Sequence, residues 1–497
     1  MNRRCSTIGL VLLLAAGTAL CAEAERAVTS ITSLDGQWSL AVDPGNVGRE
    51  QKWFEMQALE GAKPAKVPWI IQATFPGYHG VAWYARDFVV PPQPQPGARC
   101  LLRFRQVDYL AEVWLNGVDV GGHEGGETPF VLDVTAAVKP GAKNHLAVRV
   151  LNPTTEPIDG ISLLQTARRC KVMPFRAGAI FNHGGITGSV ELLWAPEVRV
   201  DDLFVVAEPA GSEGRLHLRA VVQNAGSEAK KGALDFTLAS ARSGETTAAL
   251  HLARQFAPGS TSVEAELIVD DPHLWDLNDP YLYRVTARAS VEGSAWFDEQ
   301  STRCGFRDFR FADGYFRLNG RRIYLRCSHT CNHYPIGIQF PEDPDLLRRD
   351  MLNMKVMGFN AIRFIWGGAT RVQLDLCDEI GLLVYQESYA SMPLGASPQM
   401  PQRFDAAVGE LIRRDRNHPS VVIWGLLNEA HAGPTFRHAA AMLPLVRSLD
   451  PSRMVMLNSG RWDARTDYGI GKVPGIRVWP KERPTEPWVG INVTAET

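Results

Sequence analysis

The chain has 497 residues, too many for one ordinary domain and about right for three. Hydrophobic residues make up 45% and charged residues 21%, a balance that excludes a disordered chain. Lys plus Arg number 52 against 54 for Asp plus Glu, and the resulting formal charge of −2 argues against a nucleic-acid binder or a basic membrane-surface protein.

In chain order, Arg3 and Arg4 precede an apolar run from Ile8 to Ala16, and Ala22-Glu23-Ala24 is a small-x-small cleavage site. Residues 1–24 are expected to be an export signal and the mature product to be periplasmic or secreted. Leu20 stands before Cys21 where a lipoprotein needs a small residue, so cleavage after Ala24 is favoured. No later run reaches about 18 uninterrupted apolar residues, so no membrane span is expected.

Residues 30–195 have the texture of a β domain. The segment Ala111 to Val120 alternates on both sides of Asn116-Gly117, a hairpin signal because both residues tolerate positive φ. Asn144 to Val150 alternates too, and many strands without helices predict a jelly-roll β-sandwich. Residues 196–304 carry further strands, such as Leu216–Val222 and Tyr283–Ala287, over the length of an immunoglobulin-like β-sandwich.

From 305 to 497, after a hairpin turning at Asn319-Gly320, strands and helices alternate. Asp343 and Pro344 open a helix that Gly358 ends, and Asn360–Phe364 is the next strand. Thr370 to Ile380 is a second helix closed by Gly381, before the strand Leu382–Gln386. A third helix puts Phe404, Val408, Leu411 and Ile412 on one face and leads to the strand Val421–Trp424. Repeated βα units predict parallel strands, in an open sheet or a barrel.

The chemistry concentrates in Arg414-Asp415-Arg416-Asn417-His418-Pro419-Ser420 and the strand after it, which ends in Asn428-Glu429. Functional side chains of βα barrels sit at the C-terminal ends of strands, where partial desolvation raises a Glu pKa and suits it to general-acid work. An isolated Asn-Glu more often caps the next helix; the string before it shifts the balance towards chemistry.

That string is shared with glycoside hydrolase family 2, the β-galactosidase, β-glucuronidase and β-mannosidase group, which the chain resembles from about Leu34 to Asp463. Further carriers are Gly80-Val81-Ala82-Trp83-Tyr84, Gly184-Gly185-Ile186-Thr187-Gly188, Gly305-Phe306-Arg307 and Asn360-Ala361-Ile362-Arg363. The resemblance implies a jelly roll, an immunoglobulin-like sandwich and a (β/α)8 TIM barrel, cleaving terminal β-linked sugars with retention. It implies Glu429 as general acid/base and Asn428 as a contact of the sugar 2-hydroxyl.

Retention needs a second carboxyl about 5–5.5 Å from the first. The resemblance also places Arg363 in the active-site cup, with a structural salt bridge as the competing reading. Glu387 ends the third strand and is expected either to bind a sugar hydroxyl or to be a surface carboxylate. Of His329 and His333, His329 is the preferred substrate contact. Trp366 is a stacking candidate against a core reading. The sequence departs from the family at Arg326–His333 and at Phe364-Ile365-Trp366-Gly367-Gly368, where members carry a His.

No cofactor is called for, and Cys327-x3-Cys331 lacks the second pair a metal site needs. The expected partners are a β-linked oligosaccharide or glycoside and, because family members commonly oligomerise, a second copy of the chain.

The nucleophile is not found. Five barrel strands are expected, near Ile323, Asn360, Leu382, Val421 and Met454–Leu457, and 39 residues follow Asn458. By resemblance the nucleophile is a Glu on a seventh strand, and the remaining Asp463, Asp467, Glu482, Glu486 and Glu496 end no recognisable strand. The barrel is therefore expected to be incomplete and the chain truncated. The expected function is hydrolysis of terminal β-O-glycosidic bonds, β-galactosidase-like and retaining. The alternative is an inactive homologue serving as a carbohydrate-binding or interaction module.

Overall fold

The structure, a computed structural model, describes residues 26–27, 29–168, 171–173, 180–332, 344–430, 433–459 and 489–492. Residues 1–24, Cys170, His333, Asp343 and the carboxylates Asp463, Asp467, Glu482, Glu486 and Glu496 lie outside them.

Two antiparallel sheets make the first domain. One has six strands in the order Lys63–Val67, Gly36–Asp43, Gly80–Val89, Lys143–Asn152, Leu110–Leu115, Val118–Glu124. The other has four, in the order Phe130–Asp133, Arg99–Phe104, Val190–Ala195, Ser30–Ser33. Alternation along each strand sends Trp38, Leu40, Tyr84, Phe104, Val113 and Val148 into the shared core. Asn116 (φ 53°) and Gly117 (φ 81°) make the hairpin turn where the sequence places it.

The second sandwich pairs a three-stranded sheet, Val198–Ala210, Glu213–Asn224 and Gly259–Asp270, with a five-stranded one carrying Lys230–Ser240 and Tyr283–Val291. Leu218, Val222, Phe236, Phe256 and Val285 fill the space between them.

The third domain is a parallel sheet wound with helices. Its strands are β1 (Cys327–Thr330), β2 (Ala361–Phe364), β3 (Leu383–Glu387), β4 (Val421–Gly425), β5 (Met454–Ser459) and β6 (Val489–Asn492). They pair in sequence order. The helices are α1 (Pro344–Val356), α2 (Arg371–Ile380), α3 (Met400–Asp415), α4 (Pro434–Ala441) and α5 (Leu443–Leu449). Thr370 closes a capping box with Gln373 at the start of α2, and Gly381, in the left-handed region, ends it.

Phe364, Val384, Trp424 and Val455 face the helices. On the inner face, Ala361, Leu383, Ile423 and Met454 pack on Trp275, Phe309 and Leu318 at the N-terminal end of the sheet.

Two expectations are corrected. Ile323 is not in the barrel: Arg321–Ile323 folds back on Tyr315–Leu318 across the Asn319-Gly320 turn, and this local pairing ends before the first parallel strand at Cys327. Among the described residues the parallel sheet has six strands where five are expected. Val489–Asn492 pairs with β5, and only four residues long in a Pro-rich tail it leaves no periodic signal.

Candidate active site

Strands β2 to β5 bring their C-terminal ends together, and with them the polar residues that interrupt the apolar runs. After β4 the chain continues beside β5. The Leu426 N–H donates to Met456 O (3.0 Å), the Ser459 N–H to Leu427 O (3.0 Å), and the Glu429 N–H to Ser459 O (2.8 Å). Asn458 brackets the next residue, accepting from the Ala430 N–H at 3.0 Å and donating to Ala430 O at 2.9 Å. These bonds hold Glu429 at φ 50°, a left-handed conformation that costs a non-glycine residue roughly 1 kcal/mol or more. The Asn428-Glu429 pair does not cap a helix, since the cap of α4 is Gly433.

Glu387, at the end of β3, is 1% exposed, which removes the surface reading. Its Oε2 accepts from Arg363 Nε (3.1 Å) and Nη2 (2.6 Å), and its Oε1 from the Trp366 N–H (3.1 Å). The Arg363 Nη2 also donates to Asn428 Oδ1 at 2.6 Å. A guanidinium only donates, so Asn428 must offer its oxygen and keeps its Nδ2 as a donor for something else. Burial pushes the Glu387 carboxyl above its usual range; Arg363 pulls it back in part, and Glu429 adds to the rise.

Arg363, Glu387, Asn428 and Glu429 are thus brought together, with Trp366 contributing its backbone from a left-handed turn (φ 54°). His329 is exposed on β1, in register with Arg363.

Sequence reasoning missed Tyr385, Asn458 and Ser459. Tyr385 shares the inner face with Glu387 by strand alternation, and the Arg363 guanidinium lies 4.9 Å from its ring centre. Burial, then Glu387, raises the pKa of its phenol. A Cβ on Gly425 would stand 2.3 Å from the Tyr385 ring, so a glycine is required beside it. The rule that singled out Glu387, a polar residue closing an apolar strand, also picks out Asn458-Ser459 after Met454–Leu457.

The string before β4 has another task. Asn417 donates to Leu203 O (2.7 Å) and accepts from the Val205 N–H (3.0 Å), both in the second sandwich. Arg416 pairs with Asp202 and donates to Leu449 O (3.1 Å). Arg414 reaches Glu127 O of the first sandwich at 2.8 Å while chelating Asp415. His418 bonds Asp378 at 2.6 Å.

Asp375, Asp378 and His418 form the one metal-like cluster among the described residues. Its atoms are already bonded to Arg303, the Ser420 N–H and each other. These residues join domains at the N-terminal end of β4, away from the strand ends that carry Glu387 and Glu429.

Comparison with known proteins adds ancestry to this geometry. Residues 31–196 match the sugar binding domain of glycosyl hydrolases family 2, residues 198–307 a second domain of that family, and residues 309–474 its TIM barrel domain. A β-glucuronidase of Paenibacillus borealis is 27% identical over 464 residues, covering 86% of this chain and 72% of that protein. A β-galactosidase of Enterobacter cloacae is 29% identical over 394 residues, covering 76% of this chain and 36% of its own length. The crystal structure of Ruminococcus gnavus β-glucuronidase superposes with a TM-score of 0.72 at 23% identity, over 87% of this chain and 73% of that one, and so shares the fold.

Proposed function

We propose, from the premise that this chain belongs to glycosyl hydrolase family 2 and is a glycosidase, that its strand ends bind the terminal sugar of a β-linked glycoside and that Glu429 is the general acid/base. One observation carries the reading: Arg363 grips Glu387 and Asn428 together, beside a Glu429 held in a left-handed turn by β5. In that frame Asn428 Nδ2 donates to a sugar hydroxyl while Glu429 protonates the leaving oxygen. Glu387 is buried with both oxygens engaged, so it fixes Arg363 and does not attack an anomeric carbon. No described residue is assigned as the attacking carboxylate of a retaining reaction.

Among the described residues Arg363 is the cation at these strand ends, and its Nε and Nη2 are bonded to Glu387 and Asn428, which supports a neutral, β-galactoside-like terminal sugar over a uronate. Residues 1–24 support an exported enzyme acting on extracytoplasmic glycosides.

The test is hydrolysis of 4-nitrophenyl β-D-galactoside and β-D-glucuronide by the full chain. The galactoside is the expected substrate, and Glu429→Gln should cut turnover by roughly 10²–10⁴-fold. An unchanged rate in Glu429→Gln removes that residue from the mechanism.

The engaged state of Glu387 also favours a second reading, sugar binding without turnover. It holds if no glycoside is cleaved while Asn428→Ala still weakens galactose binding.

A further inference from the structure

Away from the strand ends, the first sandwich and the barrel leave a cleft of about 200 Å³ between the loop 123–128 and one face of α3. Gln402, Arg403, Ala406, Ala407 and Glu410 follow helical spacing and share that face, opposite the core residues Phe404, Val408, Leu411 and Ile412. Two alanines there keep the cleft open. Facing them, Gly126 lies so close to Asp108 that a Cβ would stand 2.7 Å from the carboxyl carbon, which draws the loop back from the helix.

The lining is apolar in its floor and polar at two edges. Tyr109, Ala167 and Tyr389 line it from the side away from solvent. At one edge, Glu124 Oε1 accepts from the Tyr109 hydroxyl (2.8 Å) and from Arg403 Nε (2.5 Å). At the other, Glu410 Oε2 accepts from the Thr128 hydroxyl. The second oxygen of each carboxylate has no partner among the described residues. Arg403 is also tied down through Nη1, which donates to Ser397 Oγ (2.7 Å) and Gln165 O (3.0 Å).

Among the described residues the cleft offers fixed acceptors, its lining cation Arg403 is bonded to Glu124, and the His123 imidazole lies against Glu410 (3.5 Å), so it suits a donor-rich, uncharged ligand better than an anion. Among the described residues these carboxylates belong to no cluster of three metal-ligating side chains that would favour a divalent ion. The volume is below that of drug-sized pockets and takes a single ring.

We propose that this cleft is a second, non-catalytic carbohydrate site that holds one neutral pyranose unit. Its hydroxyls donate to Glu124 and Glu410, and its C–H face lies on the tyrosine and alanine floor. Tyr389 stands two residues beyond Glu387, so the segment that follows β3 links the cleft to the strand ends. The choice of a sugar among polyols rests on the glycosidase reading; the cleft and its polarity do not.

The experiment is titration calorimetry of the full chain with methyl β-D-galactoside, methyl β-D-glucoside and sodium glucuronate. Two classes of site are expected for at least one neutral glycoside. Ala406→Phe, which fills the cleft, should abolish one class and leave the other. Glu410→Ala should weaken the same class about tenfold, and glucuronate should bind it about tenfold less well than the neutral sugars. If Ala406→Phe lowers the melting temperature sharply, Glu410→Ala alone decides.

A single class that Asn428→Ala removes, and that neither cleft variant touches, overturns this proposal while the glycosidase reading stands. A class lost in the cleft variants with Asn428→Ala silent supports the cleft and counts against the strand-end assignment. No binding of any neutral sugar overturns both.

Discussion

Arg363 is the residue on which the strand ends depend, since one guanidinium serves both Glu387 and Asn428. Removing it leaves a carboxylate 1% exposed without its charge partner. Arg363→Met is expected to cost about 3–5 kcal/mol, read from urea unfolding, and to weaken galactose binding. Arg363→Lys keeps the charge but not the forked geometry, so stability should recover more than affinity. Gly425→Ala should cost about 1–3 kcal/mol by pressing a methyl group into the Tyr385 ring, and Tyr385→Phe should not relieve it, because the ring itself is in the way. At this scale the sequence shows which strand ends carry Arg363, Glu387, Asn428 and Glu429. It does not show that Glu387 spends both oxygens internally, because a hydrogen-bond partner 24 residues away leaves no periodic mark.

Among the elements, the helices and central strands are legible because local rules agree: Thr370 caps α2, Gly381 ends it, and the apolar run that opens β3 marks a strand buried on both faces. The ends of the sheet are less so. The Asn319-Gly320 turn marks the hairpin to which Ile323 belongs but not that this strand stays out of the barrel, and β6 is too short to show a period. The start of β4 carries a titratable lock. Burial alone would lower the His418 pKa, but the Asp378 carboxylate outweighs it and leaves it above the usual 6.5. A raised histidine stabilises the fold fully below 6.5 and loses that contribution as pH climbs through the folded value. The melting temperature of the native chain should therefore fall as pH rises above 6.5. His418→Gln should lie furthest below it at acid pH and converge with it at alkaline pH; parallel curves would remove His418 from the lock.

At the scale of the whole molecule, three domains meet on residues 414–421. Arg307 donates to Pro419 O (2.9 Å) and Val421 O (2.8 Å), Asn417 bonds the second sandwich twice, and Arg414 reaches the first. Such docking should couple unfolding, so calorimetry of the native chain is expected to give one dominant transition. Asn417→Ala leaves Leu203 O and Val205 N unsatisfied, at about 1–3 kcal/mol for each group, and should split off the second sandwich as a separate transition. The run from Arg414 to Glu429 therefore contains two inheritances. Its first half records how modules were joined and its second half what they catalyse, and the two are free to diverge. A descendant that kept Arg414–Ser420 but lost Asn428-Glu429 would look like an enzyme to any motif search while being only a scaffold. A graft of this barrel onto another sandwich pair would need residues 202–205 carried along with it to stay in one piece.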